Sequence, residues 1–166
     1  LWLSDDSRFI ALAQPTVTYP KDLSQAGTWV RTKLANITHG AADPDGGTSA
    51  DTLLEDSATG AHYVRQTIGA TYLGGLPSRA EIDAKYIDCP WFFVEVYLNH
   101  YVFFNVQTGV VGTTNSATGS ITPLPYGWYR CTVDFQSTAG ASTYTVGMAN
   151  ADNVSSYTGT SRSLRM

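Results

Sequence analysis

The chain has 166 residues, 43% of them hydrophobic and 14% charged, with a net charge of −4 from 14 acids and 10 bases. That length suits one domain with a full core, and where ~25% charge is usual, Ser, Thr, Gly, Asn and Gln must cover most of this surface. The bases are too few and too scattered to displace counterions from a nucleic-acid backbone, and no apolar run approaches the ~20 residues of a membrane-spanning helix.

Residues 1–27 are expected to form an N-terminal arm and residues 28–166 the folded domain. Leu1-Trp2-Leu3-Ser4-Asp5-Asp6 has neither the basic start nor the long apolar stretch of a signal peptide. Thr28 to Leu34 alternates Trp29, Arg31 and Lys33 against Val30, Thr32 and Leu34, the period of two of a half-buried strand. Ala42-Asp43-Pro44-Asp45-Gly46-Gly47-Thr48 carries turn chemistry. Its two acids and Gly46 offer part of a calcium loop but lack the later ligands and the bidentate Glu, so no cofactor is expected beyond an occasional structural calcium. His62 to Ile68 is a further strand, closed by Gly69.

Ser78-Arg79-Ala80-Glu81 has capping-box spacing, which predicts one short helix near 79–86, ending before Pro90. The aromatic and β-branched run from Trp91 to Val106 reads as a hairpin. A two-residue Asn99-His100 turn would set Leu98 against Tyr101, Val96 against Phe103 and Glu95 against Phe104. Trp128 to Phe135 and Ser142 to Met148 both alternate cleanly, and Ser163 to Met166 starts one more strand. Short strands separated by Gly- and Pro-rich turns predict an all-β fold, a two-sheet antiparallel β-sandwich or barrel.

Chemistry is sparse. Cys89 and Cys131 are too few for a zinc site; buried thiols and a disulfide both stay open. His39, His62 and His100 stand apart, and no metalloprotease spacing or nucleophile elbow occurs. Glu95 and Asp134 are the one carboxylate pair that a glycosidase reading would use, and a non-enzyme is expected. The sequons at Asn36 and Asn153 matter only in a eukaryotic secretory pathway. Aromatic rings stack on the C–H faces of sugars and equally fill cores and interfaces. Trp29, Tyr63, Glu95, Tyr97 and Tyr101 are the candidate ligand-binding residues.

Several blocks look familiar in order. They are Asp43-Pro44-Asp45-Gly46-Gly47-Thr48-Ser49-Ala50-Asp51-Thr52-Leu53, Tyr101-Val102-Phe103-Phe104-Asn105-Val106-Gln107-Thr108-Gly109, Gly127-Trp128-Tyr129-Arg130-Cys131 and Ser155-Ser156-Tyr157-Thr158-Gly159. Together they resemble a jelly-roll domain of bacteriophage tail, fibre and other virion proteins, itself similar to carbohydrate-binding modules. The resemblance implies a jelly roll without catalytic residues, located in a virion or, in the alternative, secreted. It implies other virion proteins and further copies of the chain as partners, in head decoration or a tail or fibre module. It implies a cell-surface glycan more loosely. The stretch from Gly74 to Tyr86 departs from the pattern, which expects a regular strand there.

Overall fold

The computed structural model describes residues 22–72, 74–97 and 99–166; most of the expected arm, and Leu98 of the expected hairpin, lie outside them. Alternating sequences build thirteen strands. These are β1 (Val30–Thr32), β2 (Leu34–Ala41), β3 (Ala50–Glu55), β4 (Thr59–Tyr72), β5 (Pro77–Tyr86), β6 (Trp91–Val96), β7 (His100–Asn105), β8 (Val110–Asn115), β9 (Ala117–Pro123), β10 (Trp128–Gln136), β11 (Gly140–Ala149), β12 (Ser156–Thr158) and β13 (Ser163–Arg165). The only helical piece among the described residues is a 3-10 turn at Pro125–Gly127.

Two antiparallel sheets face each other. The first has the order β1-β4-β11-β6-β7-β8, with β12 also on β4, and the second β2-β3-β13-β5-β10-β9. Within them the quartets β4-β11-β6-β7 and β3-β13-β5-β10 interleave strands from both halves of the chain. That interleaving is the jelly-roll order. One apolar core lies between the sheets, with Leu53, Val64, Ala84, Phe92, Phe104, Cys131, Val133, Val146 and Leu164 fully enclosed. Both cysteines are buried free thiols.

Two expectations fail. Residues 79–86 are strand, not helix. Ala80, Ile82 and Ala84 turn to the core while Arg79, Glu81 and Asp83 turn out, and β10 pairs with β5 from Pro77 to Lys85. Directly opposite partners neutralise the outward charges: Arg79 forms a two-pronged bond with Asp134, and Arg130 another with Asp83. Cross-strand pairing of this kind favours a sheet and overrides one capping signal. The hairpin register is also shifted by three residues. Val96 faces His100, Glu95 faces Tyr101 and Phe93 faces Phe103, so the loop is residues 97–99. Tyr97 and Asn99 both take positive φ, 52° and 79°, and the Tyr97 N–H leaves the hairpin to bond Thr143 of β11 at 3.0 Å.

The turn at Ala42–Thr48 is as its composition predicts. Asp43 Oδ1 accepts the N–H groups of Asp45 and Gly47, and Oδ2 those of Ser49 and its hydroxyl, at 2.7–3.1 Å. Its carboxyl lies below its ordinary range, chiefly through Ser49. Both oxygens of the Asp43 carboxyl are thus engaged within the turn.

Candidate functional site

The corrected register brings three of the five candidate residues together on the outer face of the first sheet. Antiparallel pairing places Tyr63, Gly147, Phe93 and Phe103 in one row across β4, β11, β6 and β7. The adjacent row is Arg65, Thr145, Glu95 and Tyr101. Side chains two apart on a strand share a face, so the rows form one surface. Phe93 and Phe103 are its floor, 7% and 3% exposed, with ring centroids 5.4 Å apart. Tyr101 stands at right angles to Phe103 at 5.7 Å.

Gly147 shapes this floor. A Cβ there would come within 2.3 Å of the Phe93 ring, so only glycine lets Phe93 lie across β11. Polar groups line the walls. The Arg65 guanidinium sits 4.8 Å from the Tyr63 ring centroid, its Nε donates to Thr145 Oγ1 at 2.9 Å, and it pairs with Glu95 at 3.6 Å. The Asn99 N–H donates to Glu95 at 3.3 Å.

Asn153 and Ser155 close one side of a furrow of about 250 Å³. Their turn is fastened at its base: the Asn150 N–H donates to the Val154 carbonyl and the Val154 N–H to that of Ala151, Asn153 supplies φ = 58°, and Asp152 accepts the Thr113 N–H and hydroxyl of β8. The result is an aromatic floor with a cation, a carboxylate, an amide and a hydroxyl above it. Such a surface presents flat apolar area for C–H groups and charged hydrogen-bonding groups for hydroxyls.

The other two candidates lie elsewhere. Trp29 and Tyr97 are 2% and 4% exposed and belong to the core between the sheets, where Trp29 packs edge-on against Tyr144. Glu95 and Asp134 point from the outer faces of opposite sheets, which pack ~10 Å apart, so they do not flank a common bond. Arg65, Phe93, Phe103, Asn153 and Ser155 are the site residues that sequence reasoning missed. Arg65 carries a readable signal, since it stands two residues from Tyr63 on the same strand face.

Among the described residues one trio, Asp22, His39 and Asp51, gathers donor atoms suited to a metal ion within 4.8 Å of one another. His39 Nδ1 lies 3.0 Å from Asp51 and 3.7 Å from Asp22. Burial pushes the Asp51 carboxyl upward, against the pull of the Leu23 N–H and His39. His62 is fully buried, its ring nitrogens directed at the carbonyls of Lys33 and Tyr157. Compared with known proteins, the chain matches no family model and no curated protein.

Proposed function

We propose that this chain is a non-catalytic module of a bacteriophage virion and that the furrow on its first sheet binds a saccharide. The observation that carries the saccharide reading is the meeting of Tyr63, Arg65, Glu95 and Tyr101 over the Phe93–Phe103 floor. A furrow of about 250 Å³ lies just below the ~300–1,000 Å³ of ordinary small-molecule sites, which fits one sugar unit of a cell-surface glycan better than a long chain segment. Its rigid aromatics and preset ion pair limit the entropy lost on binding. Support for the virion comes from the ordered sequence blocks from Asp43 to Gly159.

Two tests separate the parts of this reading. Retention of the full chain on a panel of immobilised bacterial polysaccharides should fall at least tenfold in Tyr101→Ala and in Arg65→Ala, with far-UV circular dichroism unchanged. Equal retention of both variants, or none by the parent chain, would defeat the saccharide site. A virion module without glycan binding, serving head decoration or tail assembly, is favoured by the low share of charged residues, 14%. It predicts stoichiometric binding to phage particles that survives Tyr101→Ala.

A further inference from the structure

The furrow of the first sheet is lined by one positive and one negative side chain, Arg65 and Glu95, and its other lining residues are uncharged. Arg65 stands on β4 and Glu95 on β6, with Thr145 of β11 between them in the same row. Arg65 Nη2 and Glu95 Oε2 are 3.6 Å apart, beyond the ~2.7–3.2 Å of an N–H···O hydrogen bond. The two charges are thus near enough to balance one another and too far apart to satisfy each other's hydrogen-bonding groups.

Each partner is held from its other side. Arg65 Nε donates to Thr145 Oγ1 at 2.9 Å, and Thr145 is fully buried. The Asn99 N–H donates to Glu95 Oε1 at 3.3 Å. Among the described residues, Nη2 and Oε2 meet only each other, so a donor and an acceptor stand side by side with their hydrogen bonds unmade.

A ligand that completes this pair must accept from Arg65 and donate to Glu95. A hydroxyl is the sugar group that does both. A carboxylate only accepts; to reach Arg65 it must displace Glu95, against the Asn99 N–H that holds it. A protonated amine only donates and would lie against the guanidinium. An acetamido group has both functions, but its trans amide points N–H and carbonyl in opposite directions. Hydroxyls on adjacent ring carbons have oxygens ~2.8 Å apart, the length of an O–H···O hydrogen bond, which suits two partners separated by 3.6 Å. The C–H side of the same ring then lies over Phe93 and Phe103.

We infer that the furrow selects an uncharged sugar ring by two hydroxyls on adjacent carbons, one accepting from Arg65 and the other donating to Glu95. This selectivity rests on the saccharide reading of the furrow and goes one step past it, to the class of sugar and the atoms that recognise it. Uronic acids are disfavoured, because the pair has no net charge to attract them and no free cation to receive them.

The test titrates the full chain with single sugars and follows the backbone amide signals of Glu95, Tyr101 and Thr145 in 1H–15N spectra. One series is the methyl glycosides of glucose, galactose and mannose; the other is the methyl glycosides of the matching uronic acids, in which only C6 differs. At least one neutral glycoside should bind, and at least fivefold more tightly than its uronic acid. Among its monodeoxy derivatives, loss of either member of one adjacent hydroxyl pair should weaken binding at least tenfold, since each meets a charged group. Loss of any other hydroxyl should cost less than threefold. Glu95→Gln keeps the shape and leaves Arg65 unbalanced, and it should bring the preference over the uronic acid below twofold. No binding in either series would defeat the saccharide reading and this selectivity together. Three results would defeat the selectivity alone: a uronic acid that binds as tightly as its neutral partner, deoxy losses that single out no adjacent pair, or an unchanged preference in Glu95→Gln.

Discussion

Glu55 is the residue on which the end of the chain is anchored. It is fully buried, and it accepts bonds from Arg162 Nε at 3.0 Å, from the Thr160 N–H at 2.8 Å and from the Tyr157 hydroxyl. Burial alone would raise its carboxyl; Arg162, Thr160 and Tyr157 outweigh that and bring it from 4.5 down to about 2. The folded state therefore holds this proton less tightly than the unfolded chain does. The stability it contributes is complete above pH 4.5 and drains away as pH falls through about 2. Breaking one side of a buried pair costs several kcal/mol. Glu55→Gln should accordingly lower unfolding free energy by ~3 kcal/mol at pH 7 and by much less near pH 2. Urea denaturation at the two pH values checks both signs. An equal loss at both would show that shape, not charge, is what the site needs.

At the scale of elements, alternation was readable and register was not. Trp128 to Phe135 and Ser142 to Met148 form strands with the faces their sequences predict. The same period runs through Arg79-Ala80-Glu81-Ile82-Asp83-Ala84-Lys85-Tyr86, but a Ser-x-x-Glu signal of local capping points to helix there. What decides between them is β10, a strand some fifty residues away whose Asp134 and Arg130 complete the charges of β5. No local signal carries that. The hairpin failed for a related reason: Asn99 suggested a two-residue turn, whereas Tyr97 also takes positive φ and lengthens it. A three-residue slip of odd size exchanges which residues meet, so the furrow became visible only with Glu95 set against Tyr101. Trp29 and Tyr97 misled because an aromatic residue reads alike in a core and on a surface.

Gly147 tests how far the furrow depends on its strand. An added methyl must displace the Phe93 ring, which lies 2.3–2.4 Å from the Cβ position, and overpacking of this kind costs ~1–3 kcal/mol. Gly147→Ala should lower the melting temperature and weaken saccharide retention together. Gly140→Ala has no neighbour within 4 Å but a φ of 116°. It should lower the melting temperature and leave retention intact. Calorimetry paired with retention distinguishes the two.

For the whole molecule, the interleaved order has a consequence for cooperativity. β3 is held between β2 and β13, and β4 between β1 and β11, so neither half of the chain can bury its apolar face without the other. Small domains of this kind unfold in one step. The two cysteines report on it from separate places. Cys89 precedes β6, with its Sγ donating to the carbonyls of Trp91 and Ala149, and Cys131 lies in the middle of β10. Both belong to the same core. Burial pushes the Cys89 thiol up to about 11 and the Cys131 thiol further in the same direction. Since the thiolate is the reactive form, at pH 8 about one Cys89 in a thousand is ionised, and steric enclosure hinders reagents further. Dithionitrobenzoate should therefore find both thiols unreactive in the native protein and both available in 6 M guanidinium chloride. At intermediate denaturant they should react with a single shared rate constant. A faster reaction at Cys89 would mean that the β5–β6 connection opens by itself. A faster reaction at Cys131 would locate the weakness in β10, the strand that joins β5 to β9.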